Sequence, residues 1–151
     1  MVKVVMVCLG NICRSPLAEG ILQSKVNPFI FVDSAGTATY HIGNPPDYRS
    51  IAVAKKYGID ISKQRCKHFN ATFFDLYDYI YVMDKSNYED VIKLAPTTEH
   101  HKKVKLILNE LHPNSNLEVP DPYYGNETDF ENVFQLLNKA CEAIQEKVKF
   151  H

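Results

Sequence analysis

Runs of apolar residues recur along the chain and predict four short strands. The first, Val2–Cys8, is almost continuously apolar and is interrupted only by Lys3. Further runs lie at Phe29–Val32, Tyr79–Met83 and Val104–Leu108. Because helices cover both faces of a parallel sheet, its strands are apolar throughout rather than alternating. The pattern therefore predicts a buried parallel sheet.

Helices are predicted between these runs. Ser15 and Pro16 indicate a helix start, because serine caps helices and proline is tolerated in the first turn. Ser50–Tyr57 is predicted to be helical and to end at Gly58, which suits a left-handed position. A further helix is expected over Lys85–Leu94.

The longest helix is predicted near the C-terminus. Thr128–Glu131 resembles a capping box, with threonine first and glutamate three residues later. Apolar residues then recur at helical spacing and are expected to face the core. They are Phe130, Val133, Phe134, Leu137, Cys141, Ile144 and Val148.

The alternation of strands and helices predicts an α/β fold, with a parallel sheet and helices on both faces. The length of 151 residues suits one domain spanning 1–151. Ligands of such sheets bind beyond the carboxyl ends of the strands. Cys8, Ser34, Asp84 and, after a loop, Asp121 occupy these ends.

Composition excludes several classes of function. The chain has 17 basic and 18 acidic residues, a net charge of −1 that predicts no binding to nucleic acid. No apolar run approaches the ~20 residues of a membrane span, so no membrane association is expected. The N-terminal residues lack the pattern of a secretory signal, and we expect a cytoplasmic protein.

The cysteines and histidines predict no metal site. Cysteines at positions 8, 13, 66 and 141 form no Cys-x2-Cys pair, so neither structural zinc nor a disulfide scaffold is expected. His100 and His101 lie beside two lysines and are expected in a solvated loop.

The segment Cys8–Ser15 carries the clearest chemical pattern. Cys8 and Arg14 are separated by five residues, a loop short enough to surround one tetrahedral anion. Gly10 and Asn11 tolerate left-handed backbone, which lets successive N–H groups point inward. The following helix directs its positive end to the same place, and Arg14 can bind two anion oxygens. The same features stabilise Cys8 as the nucleophilic thiolate; the alternative is a buried cysteine and an exposed arginine.

Transfer of a phosphoryl group to sulfur also needs an acid for the leaving oxygen. Asp121 is the best candidate, because prolines on both sides stiffen its backbone. The same pattern is equally consistent with Asp121 serving only to form a turn. Asp84 is more compatible with capping a helix or orienting a loop.

Tyr40, Tyr123 and Tyr124 lie near these loops. Aromatic walls would suit a flat aromatic substrate, although ordinary surface tyrosines explain the same residues.

Three motifs in order resemble the low-molecular-weight protein tyrosine phosphatases over nearly the whole chain. The first is Val7–Pro16. The second is Val32–Thr37, followed by Gly43–Asp47, and the third is Asp121–Gly125. The resemblance implies a single four-stranded parallel sheet of the flavodoxin-like, phosphotyrosine phosphatase I-like type.

The resemblance also implies roles for individual residues. Cys8 would be the nucleophile, Arg14 the transition-state clamp, and Asp121 the general acid and then the base. The backbone amides from Leu9 to Arg14, which include those of Gly10, Asn11, Ile12 and Cys13, would bind phosphate, with Ser15 also at the phosphate site. Asn11, Ser15 and Ser34 would form the hydrogen-bond network that holds the loop, and Asp84 would support it. Tyr40, His41 and Tyr123 would line the entrance.

The resemblance further implies phosphotyrosine proteins or peptides as substrates, inhibition by phosphate or vanadate, a monomer, and no metal or organic cofactor. Cys13 would be a backup thiol that forms a disulfide with Cys8 under oxidation. Tyr123 and Tyr124 match phosphorylation sites of the family.

The chain departs from the family at two places. A common His-x-Ala-Arg segment corresponds to Gln64–Lys67, which puts the bracing role of that histidine in doubt. His41 replaces a common asparagine, so substrate preference could differ.

Two other functions remain compatible with the loop. Arsenate reductases share the fold and relay oxidation to further cysteines, but Cys66 is isolated in sequence and Cys141 belongs to the core stripe. A phosphate-binding module without catalysis would lack the nucleophile or the acid, and both are present.

Overall fold

The computed structural model describes residues 1–149 and has the predicted α/β architecture. Its strands are β1 (Val2–Cys8), β2 (Ile30–Gly36), β3 (Tyr79–Val82) and β4 (Val104–Leu106), arranged in the order β2-β1-β3-β4. All three pairings are parallel. The predicted four-stranded parallel sheet is therefore confirmed.

Six α-helices and one 3-10 turn connect and cover the strands within the described residues. They are α1 (Arg14–Lys25), α2 (Tyr48–Lys56), α3 (Phe73–Leu76), α4 (Lys85–Leu94), α5 (Thr98–His101), the 3-10 turn Ile107–Glu110, and α6 (Glu127–Val148). The short helices α3 and α5 were not predicted, because four residues are too few to show a helical period.

Two hydrophobic cores lie on opposite faces of the sheet. Val4 and Met6 of β1 pack on one face with α1, α2 and α6. Val5 and Val7 pack on the other face with residues of α3 and α4. Successive side chains of a strand point to opposite faces, so the apolar run of β1 supplies both cores.

Several predicted boundaries are corrected by the structure. The capping box of α6 is formed by Asn126 and Asp129, so the prediction of Thr128 as the cap is wrong. Asn126 Oδ1 accepts from the Asp129 N–H, and Asp129 Oδ2 accepts from the Asn126 N–H, which starts the helix one residue before Thr128. The predicted stripe from Phe130 to Val148 is buried as expected.

Two further expectations are corrected. Strand β4 ends at Leu106, because the chain turns into the 3-10 segment at Ile107. His100 lies in α5 rather than in a loop, and its Nε2 is 3.0 Å from Asp75 Oδ1. Among residues 1–149, no group of three or more potential ligands could hold a metal ion, and no helix has the length and apolar character to cross a membrane.

Candidate active site

The turn from Cys8 to Ser15 joins β1 to α1 at the carboxyl edge of the sheet, and we name it the cysteine loop. Several of its carbonyl oxygens accept bonds from outside it: Cys8 from Thr37 N, Leu9 from Ala38 N, Gly10 from Cys66 Sγ, and Ile12 from Asp47 N. Because the N–H and C=O of a trans peptide point in opposite directions, the N–H groups of these peptides point into the loop.

Asn11 makes this backbone path possible. Its φ of 57° is left-handed, as the sequence predicts, whereas Gly10 has no positive φ. Gly10 instead provides space, since a Cβ there would lie 3.1 Å from His41 Cδ2. Gly36 of β2 is needed for a similar reason, because a Cβ would lie 2.8 Å from the Leu9 carbonyl oxygen.

The Cys8 side chain is 3% exposed and its sulfur lies 3.0 Å from Ser15 Oγ. Asn11 Nδ2 donates to the same Ser15 oxygen at 2.8 Å. The Ser15 hydroxyl therefore has its own proton free to donate to the sulfur. A hydrogen bond to the charged form of a group favours that form, so this contact stabilises a Cys8 thiolate.

Arg14 is buried and connects three segments. Its Nη1 donates to Asp84 Oδ2 at 2.7 Å and to the Val119 carbonyl at 3.0 Å, and its Nη2 is 3.8 Å from Asp121 Oδ2. Burial acts to lower the pKa of Arg14, but Cys8 and the two aspartates outweigh burial and raise that pKa. Arg14 therefore remains a cation held at the edge of the cysteine loop.

The first turn of α1 also faces the cysteine loop. Cys13 occupies the N-cap position and its side chain makes no capping bond, so the prediction of a serine cap at Ser15 is wrong. Burial, with smaller contributions from Asp47 and Cys8, raises the pKa of Cys13 to about 12, so it is a neutral thiol at pH 7. A helix N-terminus without a side-chain cap presents N–H groups to an anion.

A cavity of about 230 Å³ opens above the sulfur. Its lining includes Cys8, Leu9, Gly10, Ile12, Cys13, Arg14, Tyr40, His41, Asp121, Tyr123 and Tyr124. The structure thus gathers the predicted nucleophile, arginine, acid and entrance residues into one cavity. Asn11 and Ser15 lie buried behind it.

Asp121 lies on residues 120–125, which we name the aspartate loop. The Asp121 side chain is 46% exposed, and its Oδ1 accepts from the Tyr123 N–H at 3.1 Å. Its other oxygen faces Arg14. The carboxyl group is therefore oriented across the cavity from the loop that carries Cys8.

Ser34 does not belong to the hydrogen-bond network that was predicted for it. Its hydroxyl donates to Glu19 Oε1 at 2.7 Å, rather than to the network of Asn11 and Ser15. Ser34 lies on β2 facing α1, so Glu19 is the acceptor within its reach. Burial raises the pKa of Glu19 to about 7.

Sequence reasoning missed the segment that supports the cysteine loop from outside. The Lys67 N–H donates to Asn11 Oδ1 at 3.0 Å, and Lys67 Nζ binds Asp33. Cys66 is isolated in sequence, but its thiol contacts the Gly10 carbonyl at 2.9 Å. Gln64 Nε2 donates to the Pro16 carbonyl. No local pattern marks these contacts, which span about 50 residues of sequence.

Comparisons with known proteins identify the family of the chain. A family model for low molecular weight phosphotyrosine protein phosphatase matches residues 3–151. The mouse low molecular weight phosphotyrosine protein phosphatase is 42% identical over 153 residues, covering 96% of this chain and 94% of the mouse protein.

Solved structures give the same result. A protein tyrosine phosphatase from Entamoeba histolytica, with Hepes in its active site, matches with a TM-score of 0.91 and 34% identity, covering 99% of this chain and 98% of that one. Vibrio vulnificus Wzb, in complex with benzylphosphonate, matches with a TM-score of 0.88 and 33% identity, covering 97% and 98%.

Proposed function

The chain belongs to the low molecular weight phosphotyrosine protein phosphatase family and is therefore a hydrolase, and we propose that it cleaves phosphotyrosine on proteins through a phosphocysteine on Cys8. One observation carries the proposal: the Cys8 sulfur, the Arg14 guanidinium and the Asp121 carboxyl line a single cavity. Small aryl phosphates are expected to be substrates as well, because they carry the same ring and phosphoryl group.

In the first step the Cys8 thiolate attacks phosphorus and an S–P bond forms while the P–O bond to the phenol breaks. Asp121 donates its proton to the leaving oxygen. The inward N–H groups of the cysteine loop and Arg14 bind the phosphoryl oxygens, where charge develops. Ser15 stabilises the sulfur as a thiolate before attack and as a leaving group afterwards.

In the second step water attacks the phosphorus of phosphocysteine. Asp121, now a carboxylate, accepts a proton from that water, the S–P bond breaks, and inorganic phosphate leaves. Two displacements at one phosphorus thus need one nucleophile and one carboxyl group. No metal or organic cofactor is required by this scheme.

The cavity walls support an aromatic substrate. Tyr40 is 71% exposed and Tyr123 is 38% exposed, and both line the cavity together with His41. Aromatic side chains that line a cavity favour a flat aromatic group. The benzylphosphonate bound to Vibrio vulnificus Wzb has such a group, and by similarity phosphate and vanadate should compete for the same cavity.

The cysteines support this proposal over arsenate reduction. A relay would need a thiol that carries oxidation from Cys8 to the surface. All four cysteines are buried, and Cys141 is fully buried in the core. We further propose a cytoplasmic monomer in which a two-electron oxidant such as a peroxide can join Cys13 and Cys8 in a protective disulfide, taking up two electrons and two protons from the two thiols.

Hydrolysis of an aryl phosphate by the wild type and by Cys8→Ser tests the function. Wild type should turn over without added metal, and acid quenching should trap one phosphoryl group on the peptide that contains Cys8. Cys8→Ser should lose turnover by more than about 10⁴-fold while still binding vanadate. If Cys8→Ser hydrolysed the aryl phosphate at the wild-type rate, the mechanism would be contradicted.

A further inference from the structure

Arg49, in the first turn of α2, joins the aspartate loop to the rest of the site. Its Nη2 donates to the Tyr123 carbonyl at 2.9 Å, and its Nη1 donates to the Gly125 carbonyl at 3.3 Å. The guanidinium also lies 5.6 Å from the ring centroid of Tyr123 and 4.5 Å from that of Phe130. One side chain thus holds the far end of the aspartate loop through two carbonyls and one ring.

Asp47 fixes the position of Arg49. Arg49 Nε and Nη2 each lie 3.0 Å from a different oxygen of Asp47, a two-pronged pairing. Burial acts to raise the pKa of Asp47, but its bonds to Arg49 outweigh burial and lower the pKa, so Asp47 stays ionised. The Asp47 N–H donates to the Ile12 carbonyl at 2.8 Å. The pair therefore links the cysteine loop to the aspartate loop.

The aspartate loop needs such a link. Its residues are exposed except for Pro122, and Arg14 holds only its beginning, through the Val119 carbonyl just before the loop and Asp121 Oδ2. The Gly125 N–H bonds within the loop, to Pro122. Arg49 thus supplies the contact from outside that reaches past Asp121.

We infer that Arg49 is a positioning residue, which holds Asp121 at the distance and angle needed for proton transfer. This inference rests on the proposed function, because it requires Asp121 to be the acid. Arg49 does not line the cavity above Cys8 but a neighbouring groove with Tyr48 and Glu131. Its effect on catalysis is therefore indirect, and of the two loops that it links the aspartate loop carries the acid.

The test compares kcat/KM for phenyl phosphate, a poor leaving group, with p-nitrophenyl phosphate, a good one. A poor leaving group needs the acid more. Arg49→Ala should lower kcat/KM for phenyl phosphate by about 10–100-fold, as expected for a displaced catalytic group, and that for p-nitrophenyl phosphate by less than about 3-fold. Both substrates carry one ring, so a weaker contact of that ring with Tyr123 would lower both kcat/KM values alike and leave their ratio unchanged.

Matched variants separate positioning from stability. Lys56→Ala breaks a contact between α2 and Glu131 of α6 without touching the aspartate loop, and it should leave the substrate ratio unchanged. Arg49→Lys keeps the charge but not the fork, so it should show the same selectivity to a smaller degree. If thermal unfolding shows that Arg49→Ala does not fold, the same comparison of substrates is made with Arg49→Lys.

A double-mutant cycle decides whether Arg49 acts through Asp121. In an Asp121→Ala background, Arg49→Ala should cause no further selective loss, because the acid is already absent. Equal loss for both substrates, or additive losses in the cycle, would overturn the inference alone. If Asp121→Ala itself showed no leaving-group selectivity, the proposed acid would be wrong, and the inference with it.

Discussion

The cysteine loop and the aspartate loop lie at the same edge of the sheet, but they are held in different ways. In the cysteine loop Cys8, Asn11 and Arg14 are at most 3% exposed, and the loop passes directly from a central strand into a helix. In the aspartate loop the Asp121 side chain is 46% exposed. Its outside contacts include Arg14 with Asp121 and Arg49 with the Tyr123 carbonyl, and both arginines are over 70 positions away in sequence.

This difference corresponds to two different tasks. The cysteine loop must surround an anion with fixed N–H groups, and fixed dipoles stabilise charge best when they need not reorganise. The aspartate loop must place one carboxyl group near a leaving oxygen and exchange its proton with water, which requires exposure. We therefore expect changes in the cysteine loop to be severe and changes in the aspartate loop to be selective.

Arg14→Lys should have the largest effect, because Arg14 contacts both loops. Lysine keeps the charge but cannot bind Asp84, the Val119 carbonyl and two phosphoryl oxygens with one planar group. We expect kcat/KM for an aryl phosphate to fall about 10³-fold. Arg65→Lys is the matched control, since Arg65 is exposed and donates to nearby carbonyls. A loss below tenfold would show that the clamp needs only charge.

Asn11→Ala should lower the free energy of unfolding by about 3 kcal/mol. It removes the bonds to Ser15 and Lys67 and places alanine at a left-handed φ. Asn11→Gly should be less damaging by about 1 kcal/mol, because only the strain is relieved. Exposed Asn114 has a φ of 61° and provides a control for strain alone. If urea unfolding showed that Asn11→Ala and Asn114→Ala lose the same free energy of unfolding, the expectation that changes in the buried cysteine loop are more severe would be wrong.

Glu19→Gln should change how stability depends on pH. The folded pKa of Glu19 is about 7 because of burial, whereas an unfolded glutamate titrates near 4.5. Ionising the buried carboxyl therefore destabilises the fold as pH rises from about 4.5 to 7, on the order of 2–3 kcal/mol. Glutamine can still accept from Ser34, so Glu19→Gln should flatten this slope in unfolding measurements at several pH values. The exposed Glu99→Gln should keep the wild-type slope.

Tyr124→Phe should have the smallest effect. Tyr124 is 96% exposed on the aspartate loop, and its hydroxyl faces solvent. We expect stability within about 0.5 kcal/mol of wild type and a nearly unchanged KM for an aryl phosphate. Tyr123→Ala, which removes a ring beneath Arg49, should raise KM more. A tenfold loss in Tyr124→Phe would show that the aspartate loop is less tolerant than its exposure indicates.

The fold and the cysteine loop were largely predictable because their signals are local. The apolar run of β1, the turn residues and Ser15-Pro16 are contiguous, so the strands and the longer helices could be placed from their neighbours in sequence, although α1 begins at Arg14 rather than after Ser15. The errors have local causes too. Asparagine is a better N-cap than threonine, but Thr128 and Glu131 match the usual capping-box pattern whereas Asn126 and Asp129 do not, so the pattern favoured the wrong residue.

The support of the site was not predictable in the same way. Ser34 bonds to Glu19 because of the packing of β2 against α1, and Lys67 reaches Asn11 across 56 positions. Neither distance follows from residue order. The family motifs indicated which residues gather at the site, but not which of them contact one another.

The sequence by itself determined that a cysteine, a helix N-terminus and an arginine meet in one short loop, because chain connectivity permits few other arrangements of eight residues. Only the tertiary structure decided where Asp121 lies relative to that loop, since its position depends on contacts by Arg14 and Arg49 from distant elements. Connectivity constrains neighbours strongly, whereas distant residues are brought together only when the whole chain packs.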